Sequence, residues 1–157
     1  MITTTNEVIL IDYGKAEKIY LSDSTHRPNN PVACYGNPHF CSKNLLHDQT
    51  LSRRDDLIQV VYNLICLQSS FKPLRRFLGV DPLGENFKKY KKLTTAAQFC
   101  NFNNSQYLSE VLEHCYSLKY DETPDYSKIV FLMKKALMGL ELGPEGIFSR
   151  SISSIDS

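Results

Sequence analysis

Between Ser52 and Leu67 the apolar residues recur with the period of a helix, since Leu57, Val60, Val61, Leu64 and Ile65 fall at offsets of 3, 4, 7 and 8. Ser52 stands where an N-cap belongs, and Asp55 and Asp56 occupy a first turn whose free N–H groups favour negative charge. The stretch after Asp56 is apolar around most of its circumference, so the helix is expected at the centre of a fold. Two more helical stripes follow: Tyr107, Leu108, Val111, Leu112, Cys115 and Leu118, then Tyr126, Ile129, Met133, Ala136, Leu137 and Leu140. Asp121-Glu122-Thr123-Pro124 separates them, with Asp125 as the second helix's cap. Glu85 to Leu93 reads as a short basic helix after a loop punctuated by Pro73, Gly79, Pro82 and Gly84. Strand character is confined to Glu7-Val8-Ile9-Leu10-Ile11 before Asp12-Tyr13-Gly14, the pattern of a short hairpin. The expected class is mainly α with a short N-terminal β-hairpin.

A chain of 157 residues that is 42% hydrophobic and 22% charged is an ordinary single globular domain, neither disordered nor fibrous. Residues 1–140 are expected to form it, and residues 141–157 a flexible tail whose last nine residues include five serines. From Leu21 to Leu51, Pro28, Pro31 and Pro38 interrupt a segment too long for a passive connector, which reads as a functional or disordered loop. Eighteen basic residues against seventeen acidic give a net charge of +1, and the one basic run, Lys88, Lys89, Lys91 and Lys92, does not make a nucleic-acid face. The apolar runs Val8–Ile11 and Val60–Leu67 are too short to span a bilayer, and the first residues lack a signal-peptide pattern, so a soluble, cytoplasmic protein is expected. Cys34, Cys41, Cys66, Cys100 and Cys115 match neither a disulfide framework nor a zinc ladder. His39 with Cys41 and His114 with Cys115 lack companion ligands, and small buried hydrophobes are the plainer reading of the thiols.

Three motifs narrow this further. Asp12-Tyr13-Gly14 follows an apolar strand, Ser52-Arg53-Arg54-Asp55-Asp56-Leu57 opens a helix some forty residues on, and Tyr116-Ser117-Leu118-Lys119-Tyr120-Asp121-Glu122-Thr123-Pro124-Asp125-Tyr126 comes later. In this order they resemble the Asp-Phe-Gly, Ser-Arg-Arg-Asp-Asp-Leu and Ser-Leu-Arg-Phe-Asp-Asp-Lys-Pro-Asp-Tyr elements of the casein kinase 1 family of protein kinases. The Tyr of Asp12-Tyr13-Gly14 is also seen in the related vaccinia-related kinases. Gly36-Asn37-Pro38-His39-Phe40-Cys41-Ser42 stands where that family has a Gly-Thr-Ala-Arg-Tyr-like segment. The resemblance covers roughly residues 7–138 and implies a kinase C-lobe: the hairpin of the metal-binding motif, the activation segment, and helices F to I.

Phosphoryl transfer needs a Gly-rich cover, a strand Lys paired with a helix Glu, a catalytic-loop Asp and an Asn for the second metal. In the resembled family these precede the Asp-Phe-Gly element, and the seven glycines of this sequence nowhere form G-x-G-x-x-G. The expectation is therefore a pseudokinase-like module without catalytic residues or a cofactor of its own, acting as a scaffold through a protein partner; the rival is the back part of an active kinase. Asp12 and Gly14 would be vestiges of nucleotide-metal binding, with Asp12 taking a magnesium ion only if a partner chain supplied the nucleotide. Against this stands Asp12 as a plain turn residue before Gly14. His39 replaces the family's anion-binding Arg, giving up a fixed charge and a bidentate fork. Lys89 lies in the place of a second anion-binding cluster, with a solvated helix face as the alternative. Val61 falls where the family has Gly in helix F. Asp56 aligns with the helix F Asp that holds the catalytic-loop backbone, so Asp56, Arg53 and Arg54 are the expected partner-facing residues, and Asp56 is expected to be buried without a mate.

Overall fold

The computed structural model describes residue 9 and residues 13–31, 40–68 and 85–138. Among these the chain is mainly helical: α1 (Lys43–Leu46), α2 (Arg53–Gln68), α3 (Glu85–Leu93), α4 (Ala96–Phe102), α5 (Ser109–Ser117) and α6 (Tyr126–Met138). Single 3-10 turns at Tyr13–Lys15 and Gln106–Leu108 complete the regular structure. No strand is present among the described residues. The nearest thing is an isolated antiparallel bridge between Tyr20 and His26. The strand expected at 7–11, apart from residue 9, lies outside the described residues, as does the tail at 141–157.

Helix α2 is central, as its composition required, but the face it buries is rotated from the one its period singled out, keeping Val61 and Ile65, with Leu57 packed at the edge of the core. Ile58, Val61, Tyr62 and Ile65 are at most 1% exposed and Cys66 is buried with them, whereas Val60 and Leu64 face outward at 49% and 37%. A helix apolar on nearly every side carries no instruction about its rotation, and its neighbours decide. Those neighbours are α4, α5 and α6, which bring Ala96, Phe99 and Cys100, then Val111, Leu112 and Cys115, then Leu132 and Ala136 into one cluster. Val61 is fully enclosed there, so a methyl-bearing side chain fills a place where the resembled kinases keep glycine.

Helix α4 was not legible as a stripe. It begins at a reciprocal capping box, Thr95 accepting from the Gln98 N–H while the Gln98 side chain accepts from Thr95 N–H, which satisfies two helix-end donors at once. Asp125 caps α6 as expected, accepting from Lys128 N at 3.0 Å. The segment 40–51 is ordered too, through a second small core of Cys41, Leu45 and Leu46 with Leu51 packed on it. Ser42 caps α1 by accepting from Leu45 N at 3.2 Å. Lys91 of α3 holds this segment to α2: its buried ammonium donates to the Cys41 carbonyl at 2.6 Å and lies 4.0 Å from the Tyr62 ring centre. Beneath it the Tyr62 and Tyr116 hydroxyls meet at 2.7 Å, joining α2 to α5.

Candidate functional site

The residues expected to face a partner meet at the start of α2. Here the dipeptide Asp55-Asp56 divides its labour. Asp55 is the buried carboxylate, fully enclosed, and it accepts from Ser42 Oγ at 2.5 Å, Asn44 Nδ2 at 2.9 Å and Ser52 N at 2.9 Å, with Arg54 Nε at 3.6 Å. It is the third residue of the helix reaching back to the cap position, one half of a capping box. Asp56 instead is exposed, which corrects the expectation of a buried carboxylate at that position. The physical reason is the hundred degrees between consecutive helical residues: one of the pair turns inward and the hydrogen-bond donors of the 42–44 segment select Asp55. Partial burial, and then the neighbouring Asp55 charge, push the Asp56 carboxyl above the usual carboxylate range.

Ser52 is at the expected cap position, but the cap runs through Asp55. The Ser52 hydroxyl, on a residue only 7% exposed, has no hydrogen-bond partner among the described residues.

A strap formed by residues 19–30 folds across this helix start. Leu21 N bonds to Thr25 O at 2.9 Å and Arg27 N to Ile19 O at 2.9 Å, around a turn in which Ser24 takes the left-handed conformation at φ 63°. The strap is fixed by a row of three rings between two arginines: Arg53 lies 5.6 Å from the Tyr20 ring centre, Tyr20 meets His26 edge-on at 5.7 Å, His26 meets Tyr120 at 4.9 Å, and Arg54 lies 5.9 Å from Tyr120. The Tyr120 hydroxyl donates to the Pro28 carbonyl at 3.3 Å, and Thr50 bonds Asn29 and Asn30. Hydrogen bonding by Arg53, then its charge, holds the Tyr20 phenol below its usual range. Both arginines also reach across to the segment before α6, Arg53 Nη2 to the Asp121 carbonyl at 3.3 Å and Arg54 Nη1 to Leu118 at 3.2 Å.

Between strap and helix lies a cleft of about 190 Å³ lined by Ile19, His26, Ser52, Arg53, Asp56 and Tyr120, among others. Of the expected residues, Asp56 and Arg53 share this cleft, while Arg54 turns away toward Gln49 Oε1 at 2.9 Å and Leu118. Gly14 is exposed in the 3-10 turn at Tyr13–Lys15. Lys89 is exposed on α3, away from the cleft; the lysine that matters to packing is Lys91. Asp12 and His39 lie outside the described residues, and so do Asn37 and Cys34. No group of three His, Cys, Asp or Glu side chains suited to a metal ion occurs among the described residues, and none of their helices is long and apolar enough to cross a membrane. The row of rings and the Asp55 junction had no periodic signal in the sequence; the Asx and Ser caps at Ser42 and Asp55 were the only local cue.

The chain is similar in sequence to protein kinases and to a pseudokinase, although no family model matches it. A probable serine/threonine-protein kinase of Dictyostelium discoideum is 26% identical over 150 residues, covering 95% of this chain and 29% of the relative. A pseudokinase of vaccinia virus is 30% identical over 125 residues, covering 76% of this chain and 44% of the relative. A probable casein kinase I homolog of Encephalitozoon cuniculi is 26% identical over 150 residues, covering 89% and 47%. The chain spans less than half the length of each of these relatives. They support a kinase-derived, C-lobe-like set of helices, and do not single out the casein kinase 1 branch.

Proposed function

We propose that this chain is a catalytically inactive, kinase-derived module that serves as a structural or scaffolding subunit through protein–protein contacts. The observation that carries the reading is the outward face of α2, where the exposed Asp56 is followed at one-turn spacing by Val60, Leu64 and Leu67, the last three 49%, 37% and 59% exposed. On a central helix that otherwise buries its apolar residues, such a row marks a contact surface. The likeness to a viral pseudokinase supports the non-catalytic side of the proposal. In the resembled family the Asp aligned with Asp56 holds the catalytic-loop backbone, and a separate polypeptide takes that place in this reading.

A second reading, a casein kinase 1-like serine/threonine kinase whose other parts lie outside this chain, is favoured by the relatives named as kinases and by the share of their length that this chain spans. One experiment separates them. The endogenous protein, isolated under native conditions, is assayed for phosphate transfer from Mg-ATP to casein, beside its Asp12→Asn form. The scaffold reading expects no transfer, and expects Leu64→Glu to remove a bound protein that Phe131→Glu, on the exposed side of α6, leaves in place. Transfer that Asp12→Asn abolishes would overturn it in favour of the kinase.

A further inference from the structure

We propose that the outer faces of α5 and α6 form one self-complementary surface through which two copies of this chain associate about a twofold axis. The sequence gives these neighbouring helices opposite characters. On α6, Ile129, Leu132 and Ala136 go into the core, while Val130, Phe131 and Met138 stay outside at 52%, 65% and 80% exposure. Helical spacing sets Lys128, Phe131, Lys135 and Met138 along one exposed stripe, with Lys134 beside it. On α5 the exposed residues are Glu110, Glu113 and Ser117, with His114 half-buried at their edge. The two faces border one another on the same side of the molecule, because Lys135 Nζ meets Glu110 Oε2 at 2.7 Å with both side chains more than half exposed.

Charge selects the occupant. Lys128, Lys134 and Glu113 have no ion-pair partner among the described residues. An acidic partner suited to α6 is repelled by α5, and a basic one suited to α5 is repelled by α6. A second copy suits both, since a twofold axis between the helices lays the basic face of each copy on the acidic face of the other. Shape agrees: the acidic stripe borders a shallow cavity of about 440 Å³ lined by Ala97, Glu110, Glu113, His114 and Ser117, and Phe131 supplies a projecting ring on the same surface. Knob and hollow on one patch are what an isologous contact requires. Size sets the strength. The 9 residues of α5 and 13 of α6 span about 14 and 20 Å at about 1.5 Å per residue, and packed helices lie about 10 Å apart, which gives a face of about 400 Å² per copy. A total of about 800 Å² is at the low end for specific interfaces, so a weak dimer is expected, with Kd on the order of 100 µM.

The test is sedimentation velocity of the whole chain from about 5 to about 500 µM. The expected result is a mass that rises from 18.0 kDa toward twice that value, with affinity falling by at least about fivefold between about 50 and about 500 mM salt. Phe131→Glu should abolish the association. Lys134→Glu and Glu113→Lys should each weaken it by about tenfold, and the variant carrying both should recover most of the loss, because the reversed charges again face one another across the axis; circular dichroism should be unchanged in all three. A chain that stays at 18.0 kDa throughout would give this face to another occupant and overturn the inference. A dimer that survives Phe131→Glu, or a double reversal no better than the single ones, would overturn it as well. Loss of the dimer with Leu64→Glu but not with Phe131→Glu would move the self-contact to α2 and refute it too.

Discussion

Replacing Asp55 by alanine should be the most damaging single change at the start of α2. Three donors converge on its enclosed carboxylate: Ser42 Oγ, Asn44 Nδ2 and Ser52 N at 2.5, 2.9 and 2.9 Å. Truncation strands all three and also removes the counter-charge of Arg54, whose side chain is 11% exposed. A hydrogen bond to a charged group contributes about 1.5–3 kcal/mol, and the three bonds share one desolvation cost, so the sum is not the answer. Breaking a buried charged pair from one side costs about 3–5 kcal/mol, and that is the magnitude expected here. Set against a typical total of about 5–15 kcal/mol, this is a large share of the stability of such a fold. The assay is urea unfolding followed by circular dichroism, read as a fall in midpoint at unchanged slope. Ser42→Ala, which removes one donor and the α1 cap, should cost about 1–2 kcal/mol, and less than that in the Asp55→Ala background. A loss below about 1 kcal/mol for Asp55→Ala would refute the argument that this carboxylate joins the 42–44 segment to α2.

Burial raises the thiols of Cys66 and Cys115 to about 11 and that of Cys100 to about 12, so in the native protein at pH 8 these three should resist iodoacetamide and should label fully in urea, as read by peptide mass spectrometry. The folded-state carboxyl of Asp56 lies above the usual range, so the native state holds its proton longer and stability is lost as pH rises through that interval. Asp56→Asn is therefore expected to raise the urea midpoint at pH 7, with the gain shrinking as pH falls through the carboxylate range. Lys91→Ala should cost about 2–4 kcal/mol, because it leaves the Cys41 carbonyl without its 2.6 Å donor and opens a void against Tyr62; equal midpoints for variant and parent would contradict the role given to this lysine.

Periodicity located α2, α5 and α6, and the Pro and Gly breakers before Glu85 located α3, because apolar spacing and breakers are recognised one stretch at a time. The Asp125 cap is legible for the same reason, since a cap is chemistry between residues three apart. What spacing could not supply was the rotation of α2. With apolar side chains on nearly every side, only the arrival of α4, α5 and α6 decided that Ile58 and Tyr62 go in while Val60 and Leu64 stay out. The same holds for the carboxylates. Sequence placed two adjacent acids at a helix start, and only the fold brought Ser42 and Asn44 from 13 and 11 residues away to choose Asp55 and leave Asp56 at the rim. Lys91 reads as one of a basic run until Cys41, 50 residues earlier, is found beneath it. The strap's row of Arg53, Tyr20, His26, Tyr120 and Arg54 joins three separate parts of the chain, and such convergence leaves no local trace. Helical propensity and capping act over a few residues and are written in order along the chain. The pairing of a buried charge and the choice of an exposed face depend on which surfaces meet, and that is settled only when the helices pack.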